Sequence, residues 1–367
     1  MTGIHNFSPG PGALADTVVA QAREAMGCIP GSRIPLLGLS HRTPLFAAIL
    51  EEAEANFRAL LDIPADYHVL FLQGGGSLQF SMVPMALLRG RAEAAEYLKT
   101  GYWSGKAIQE ARLEGPVRVL WDGAAEGYRR LPTASEYAVG PRASYVHYVS
   151  NETVEGLRFG HVPDSGGAPL VCDMSSDFLS APVAVARYGL IYAHAQKNLG
   201  PSGVTVVLIH RDLLARAPQG LPTLLDYRTH CEHRSNYNTP PVFAIYVVML
   251  VTRWLLHDVG GLAAMQAINR AKAARLYEVL DASEGFYRGH AARADRSLMN
   301  VAFALPEAGL QRRFVEEAEA RGLYGLQGHR SCGGIRASLY NGVSRESVAA
   351  LCEYMEEFRQ RHGAATP

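Results

Sequence analysis

Three short segments of this 367-residue chain carry residue types that could do chemistry together. In Gln73–Gly74–Gly75–Gly76–Ser77 a triple glycine stands between an apolar run and a helical pattern. Glycine lets backbone N–H groups close on an anion, and a helix beginning there adds the positive end of its dipole. Ser77 adds a hydroxyl. The arrangement suits a phosphate monoester, and it is equally a tight β–α turn with no ligand. It is not a Walker P-loop, because no Gly-Lys-Ser/Thr follows. Asp173 ends the apolar run 169–172. That places a carboxylate at the carboxyl edge of a sheet, where α/β proteins bind ligands; a lone Asp followed by Met174–Ser175–Ser176 also reads as a loop or cap residue. Lys197, in Ala195–Gln196–Lys197–Asn198–Leu199–Gly200, stands between the apolar runs 190–193 and 204–209. Singly, each is ordinary. Jointly they supply what pyridoxal phosphate (PLP) needs: a phosphate cradle, a carboxylate for the pyridinium nitrogen and a lysine for the aldehyde carbon. Trp103, in Gly101–Tyr102–Trp103–Ser104, offers a face on which the ring can stack, although a lone Trp is more often core.

Such a site needs each group at a strand end, and the hydropathy pattern predicts this. Residues 45–61 have apolar side chains at helical spacing with Glu51, Glu52 and Glu54 opposite them, an amphipathic helix. Strands are predicted at 69–72, 117–120, 145–149, 170–172, 190–193 and 204–209, with a helix over 78–88 after the glycine turn. The strands are short and almost wholly apolar, as expected when a sheet is covered on both faces. The fold class is therefore α/β with a mainly parallel sheet. After Pro240–Pro241 the pattern changes to helices at 242–256 and 261–280, a strand at 298–304, a helix at 307–321, a strand at 334–338 and a last helix at 345–361. This is a smaller α+β unit, with the domain boundary near Asp258.

The bulk properties agree. Hydrophobic residues make up 48% and charged residues 19%, a globular composition, and the length suits about two domains. Lys+Arg and Asp+Glu are equal at 35 each, so no basic surface argues for a nucleic-acid or anionic-membrane partner. The five cysteines are odd in number and none are paired at metal-finger spacing; no disulfide framework and no metal site are expected, and a reducing, cytoplasmic setting fits. The N-terminus lacks the pattern of a signal peptide. The longest apolar run, 242–251, is followed by Arg253 and is about half of a membrane span, so it reads as a buried helix.

The chain resembles the phosphoserine aminotransferase family, fold-type I PLP enzymes of the class V aminotransferases. The resemblance runs from Asn6–Phe7–Ser8–Pro9–Gly10–Pro11 to the last helix. It is carried by Ser40–His41–Arg42, Gln73–Gly74–Gly75–Gly76, Gly101–Tyr102–Trp103, Asp173–Met174–Ser175–Ser176, Gln196–Lys197–Asn198–Leu199–Gly200–Pro201, Asn238–Thr239–Pro240–Pro241, Gly328–His329–Arg330 and Gly333–Gly334–Ile335–Arg336–Ala337–Ser338. It implies a mainly parallel seven-stranded sheet in a large domain over 16–258, with a small domain from 1–15 and 259–367. It further implies that Lys197 is the Schiff-base lysine and Asp173 the pyridinium partner, that Trp103 stacks on the ring and that Thr153 meets the ring hydroxyl. Gly76, Ser77 and Gln196 would hold the cofactor phosphate. Asn238 and Thr239 would reach that phosphate from the neighbouring subunit of a homodimer.

The implied reaction is amino transfer between L-glutamate and 3-phosphohydroxypyruvate in serine biosynthesis, giving O-phospho-L-serine and 2-oxoglutarate. The related four-carbon phosphorylated keto acid of pyridoxine biosynthesis is also within the family's range. Such substrates carry two anions. By the resemblance, Arg42 and Arg336 serve the α-carboxylate, while His41, His329 and Arg330 form the cationic pocket for the distal anion. Arginine's planar fork suits both jobs, though each of these arginines alone would read as a surface ion-pair partner. Two rival readings are another class V PLP enzyme (an alanine–glyoxylate aminotransferase, or a cysteine desulfurase using Cys231 or Cys332) and a PLP-fold protein that binds without turnover. The two His-Arg pairs favour a dianionic substrate, and the joint presence of Lys197, Asp173 and Trp103 favours catalysis.

Overall fold

The computed structural model describes residues 3–363; residues 1–2 and 364–367 of the expected small domain lie outside the described residues. The chain begins with β1 (His5–Asn6), α1 (Asp16–Gly27) and α2 (Pro44–Leu61). Thr43 caps α2, its hydroxyl accepting from the Phe46 N–H at 3.3 Å, and Pro44 occupies the first turn where no backbone donor is needed. Phe46, Ile49, Leu50, Ala53, Phe57 and Leu61 recur at helical spacing and form the buried face of α2.

Seven strands then build the main sheet: β2 (Tyr67–Leu72), β3 (Ala95–Lys99), β4 (Val117–Asp122), β5 (Val146–Val149), β8 (Leu170–Asp173), β9 (Leu190–His194) and β10 (Thr205–His210). A small hairpin, β6 (Asn151–Glu152) and β7 (Leu157–Arg158), stands between β5 and β8. The sheet order is β2-β10-β9-β8-β5-β3-β4, parallel throughout except that β10 runs antiparallel to both its neighbours. Both faces are covered, and alternation assigns the residues: Val69 and Phe71 join the core with α1, α2 and α7 (Val242–His257), whereas Leu70 and Leu72 face α3 (Gly75–Leu87) and α4 (Tyr102–Ala111) on the other side. The mainly parallel α/β architecture expected from the sequence is the one observed.

β3 is the strand that the hydropathy pattern does not reveal, because Glu96 interrupts it. The carboxylate is buried, accepts two hydrogen bonds from Arg118 at 2.9 and 2.6 Å and shares the Gly140 N–H between its two oxygens. A paired and fully hydrogen-bonded charge is the form in which a sheet interior admits one.

Two short helices, α5 (Arg211–Leu214) and α6 (Tyr227–Glu232), lead to α7. The apolar run 242–251 is buried within α7, and among the described residues no single helix is long and apolar enough to cross a membrane; α7 and α8 (Leu262–Asp281) meet at a 90° bend. A second core gathers around a three-stranded sheet of β11 (Arg288–Gly289), β12 (Asn300–Ala304) and β14 (Ile335–Ser338), covered by α9 (Ala308–Ala320) and α10 (Arg345–His362). β1 pairs with β13 (Leu323–Tyr324) and Phe7 enters this second core, so the N-terminal segment packs with the C-terminal elements. α8 straddles both cores: Leu262 and Met265 pack with the large one, Ala273, Leu276 and Leu280 with the small one.

Candidate active site

The carboxyl ends of β2, β5, β8 and β9 meet at one edge of the sheet, and a cavity of about 140 Å³ opens there. Strand register sets its floor. Val149, Asp173 and Tyr192 are paired across three adjacent strands, so the last residue of β8 faces the ends of its neighbours. Gly74 (φ 89°) and Gly75 (φ 69°) turn the chain from β2 into α3 in the left-handed region that glycine adopts freely, and a Cβ on Gly74 would overlap the Leu78 side chain. Of the residues picked out from the sequence, Gly76, Ser77, Trp103 and Thr153 line this cavity together with Asp173, Gln196 and Lys197.

Lys197 is buried, and its Nζ donates to Thr153 Oγ1 at 2.6 Å and lies 5.5 Å from the centre of the Trp103 ring. Burial pulls its ammonium down to about 8; Asp173 opposes the shift and Arg336 adds to it. The ammonium therefore gives up its proton far more readily than that of an exposed lysine, with about a tenth of the amine free at pH 7. Asp173 accepts from the Ser175 N–H at 2.8 Å. Burial raises its carboxyl above the usual range, against the pull of Ser175 and Lys197. A cationic ring N–H placed beside it would reverse that shift, each charge stabilising the other.

Trp103 is held through the start of α4. Glu152 accepts from the Trp103 N–H at 3.1 Å, the Ser104 N–H at 3.0 Å and the Thr100 hydroxyl at 3.3 Å; Glu155 accepts from the Tyr102 N–H at 2.9 Å. Two buried carboxyl groups thus accept from the otherwise open donors in the first turn of one helix. Burial and the neighbouring Glu152 push Glu155 up to about 8. No motif in the sequence draws attention to these two acids, since each looks like any acid in a turn; they are recognisable only once their backbone partners, about fifty residues away, are known.

Arg336 is also buried, and its Nη1 donates to the Thr153 carbonyl at 3.2 Å while Nε has no partner among the described residues. Thr153 thereby connects the arginine to Lys197. The remaining predicted residues lie elsewhere: among the described residues, those lining the cavity do not include His41, Arg42, Asn238, Thr239, His329 or Arg330. His329 lies 4.8 Å from the Tyr102 ring and borders a neighbouring cleft together with Arg336 and Glu155. Arg330 beside it is exposed. His41 and Arg42 pack against the segment that precedes Asn238: the Asn236 amide donates to the His41 carbonyl at 3.0 Å and Arg42 to the Tyr237 carbonyl at 3.5 Å. Gln73 reaches the Thr239 carbonyl at 3.1 Å. Within one chain, Arg42 and Arg336 therefore belong to separate clusters.

The cavity fits PLP on its own geometry. Trp103 Nε1 and His194 Nδ1 are buried without a hydrogen-bond partner among the described residues, and a Cβ on Gly76 would lie only 3.2 Å from Ser175 Oγ. The profile of the Aminotransferase class-V family matches residues 4–351. The chain is 50% identical over 360 residues to a phosphoserine aminotransferase of Laribacter hongkongensis, covering 98% of this chain and 99% of that one. It is 47% identical over 362 residues to one of Rhodopirellula baltica, covering 98% and 96%. Among solved structures it is similar to phosphoserine aminotransferase from Bacillus circulans subsp. alkalophilus (TM-score 0.94, 45% identity, 97% and 98% of the two chains) and to the PLP-bound enzyme from Trichomonas vaginalis (TM-score 0.91, 36% identity, 96% and 99%).

Proposed function

This chain belongs to the class-V aminotransferases, and on that premise we propose that it transfers an amino group between L-glutamate and 3-phosphohydroxypyruvate, giving O-phospho-L-serine and 2-oxoglutarate. The observation that carries the reading is the convergence of Lys197, Asp173, Thr153 and Trp103 on one cavity at the carboxyl edge of the sheet. PLP, when bound, supplies the aldehyde that takes up the amino group and a ring that accepts electron density from the substrate Cα. Lys197 is the lysine that holds its aldehyde carbon and afterwards carries the proton to and from Cα on Nζ. Thr153, which accepts from that Nζ at 2.6 Å, orients it. Asp173 keeps the ring nitrogen protonated. Trp103 covers the ring and keeps water from it, and Gly76, Ser77 and Gln196 bind the phosphate.

Arg336, anchored on Thr153, and Arg42 are read as the α-carboxylate side; His41, His329 and Arg330 are read as the pocket for the distal phosphate or carboxylate. A homodimer accounts for the separation of these residues. If Asn238 and Thr239 reach the phosphate of the neighbouring subunit, His41 and Arg42, which pack against residues 236–237, are carried to that same site. Desulfurase chemistry finds no support at Cys231, whose thiol burial pushes up to about 12, far from the thiolate such chemistry needs.

The test is the visible absorption spectrum of the purified protein before and after each amino donor. Glutamate and phosphoserine are both expected to abolish the band of the lysine-bound cofactor, and 3-phosphohydroxypyruvate to restore it. A band that responds to glutamate but not to phosphoserine would remove the substrate assignment, and no band after adding PLP would remove the cofactor.

A further inference from the structure

The cavity contains a side chain that none of the roles above uses. His194 is the last residue of β9 and lines the cavity between the glycine turn and Lys197. Its ring lies against the start of α3: a Cβ built on Gly75 would stand 3.4 Å from His194 Cε1 and 3.5 Å from Nδ1, and one built on Gly76 3.8 Å from the His194 Cβ. At these distances the imidazole is in ordinary van der Waals reach of the glycine turn. The His194 backbone N–H donates to Ser175 Oγ at 3.3 Å, which ties the strand end to the segment after Asp173. Nδ1 itself is buried and has no hydrogen-bond partner among the described residues. A buried ring nitrogen left unpaired in a polar cavity is one of the exceptions that call for a partner.

We propose that His194 is a ligand of the cofactor phosphate, donating from Nδ1–H to a phosphate oxygen at the N-terminus of α3 beside Gly76 and Ser77. This rests on the reading that the cavity holds PLP. The chemistry suits the place. A phosphate monoester brings three terminal oxygens, each able to accept more than one hydrogen bond, so it can take a further donor beside the helix N–H groups, the Ser77 hydroxyl and the Gln196 amide. An imidazole adds a donor that needs no charge of its own. Burial, reinforced by Lys197 and opposed by a side-chain hydrogen bond with Gln196, pulls the imidazole down to about 4 in the ligand-free chain; a phosphate beside it would oppose that shift, and Nδ1–H donates in either charge state.

The experiment compares the apoprotein's dissociation constants for PLP and for pyridoxal, which lacks the phosphate, in wild type, His194→Leu and His194→Asn. Leucine has a similar size and no donor; the asparagine amide can reach the place of Nδ1. His194→Leu is expected to raise the Kd for PLP roughly ten-fold or more, equivalent to about 1.4 kcal/mol, and to leave that for pyridoxal unchanged, with His194→Asn recovering much of the loss. Equal losses for PLP and pyridoxal would show that the ring only packs the wall, and no loss for either would show that it touches nothing; both outcomes overturn the proposal. His194→Ala serves in the same comparison if the leucine variant does not fold. Failure of the wild type to bind PLP would instead overturn the cofactor reading itself.

Discussion

Glu155→Gln should make the protein more stable, and only at higher pH. In the unfolded chain this carboxyl ionises at its ordinary value of 4.5; in the folded chain burial and Glu152 delay ionisation to about 8. Between those values the native state holds one proton more than the unfolded state. Stability therefore falls as pH rises through the window and is flat on either side of it. At about 1.36 kcal/mol per unit the whole window bounds the effect at roughly 5 kcal/mol. Glu152 shares the same helix N-terminus and competes for the proton, so on the order of 2 kcal/mol is expected to belong to Glu155. Glutamine keeps an oxygen for the Tyr102 N–H, now 2.9 Å from Glu155 Oε1, and places an amide where Oε2 is buried without a partner. The assay is the denaturant unfolding midpoint of variant and wild type, at equal protein concentration, at about pH 5 and about pH 8.5. Taking the difference at each pH removes the contributions of other titrating groups such as Lys197. The variant should match wild type at the lower pH and exceed it at the higher. A difference that does not change with pH, or a variant that loses ground as pH rises, refutes the protonated Glu155.

Other substitutions test the remaining roles. Lys197→Ala should abolish amino transfer, and borohydride reduction followed by mass spectrometry should fix the cofactor to wild type but not to the variant; a variant that still becomes labelled would move the reactive lysine elsewhere. Arg330→Ala removes one cation from the proposed distal pocket, and a charge-assisted pair worth roughly 1.5–3 kcal/mol predicts a loss of about ten-fold or more in kcat/KM for phosphoserine; unchanged kinetics would exclude it from that pocket. Gly74→Ala forces a side chain into a φ of 89° and onto Leu78, so it should cost on the order of 2 kcal/mol or more in stability and weaken PLP binding; a variant indistinguishable in both would mean the turn tolerates another conformation. Lys272 is buried and donates to the carbonyls of Leu339, Tyr340 and Val343 at 3.0, 2.8 and 3.0 Å. Lys272→Met leaves those carbonyls unpaired and should destabilise the protein by on the order of 3 kcal/mol, read from the unfolding midpoint; a loss within error would mean that water replaces the ammonium.

The fold was largely legible because it repeats one simple rule. Apolar runs at 69–72, 170–172, 190–193 and 204–209 correspond to β2, β8, β9 and β10, since a strand buried on both faces has no reason to alternate. The rule fails at β3, where Glu96 is neutralised by Arg118, a partner on the next strand, and at α4, where the Ser104 hydroxyl takes only the Thr100 and Gly101 N–H groups and the first-turn N–H groups of Tyr102, Trp103 and Ser104 need Glu155 and Glu152. In both places the decisive interaction joins residues distant in sequence, and periodicity within a short window carries no trace of it.

The same division separates what belongs to the sequence from what belongs to the folded molecule. The proposed attachment points of the cofactor are legible in the sequence alone. A glycine turn, an acid and a lysine each follow an apolar strand, and parallel strands with crossovers deliver their carboxyl ends to one edge whatever their order in the sheet. The tertiary structure alone decided which groups surround them. Thr153 meets Lys197 from 44 residues away and Arg336 from 183. His194 faces the glycine turn, and Arg42 sits with Tyr237 rather than with Arg336. Those contacts depend on strand order and on how the hairpin after β5 packs, quantities fixed by the packing of the whole core and not by any local run of residues.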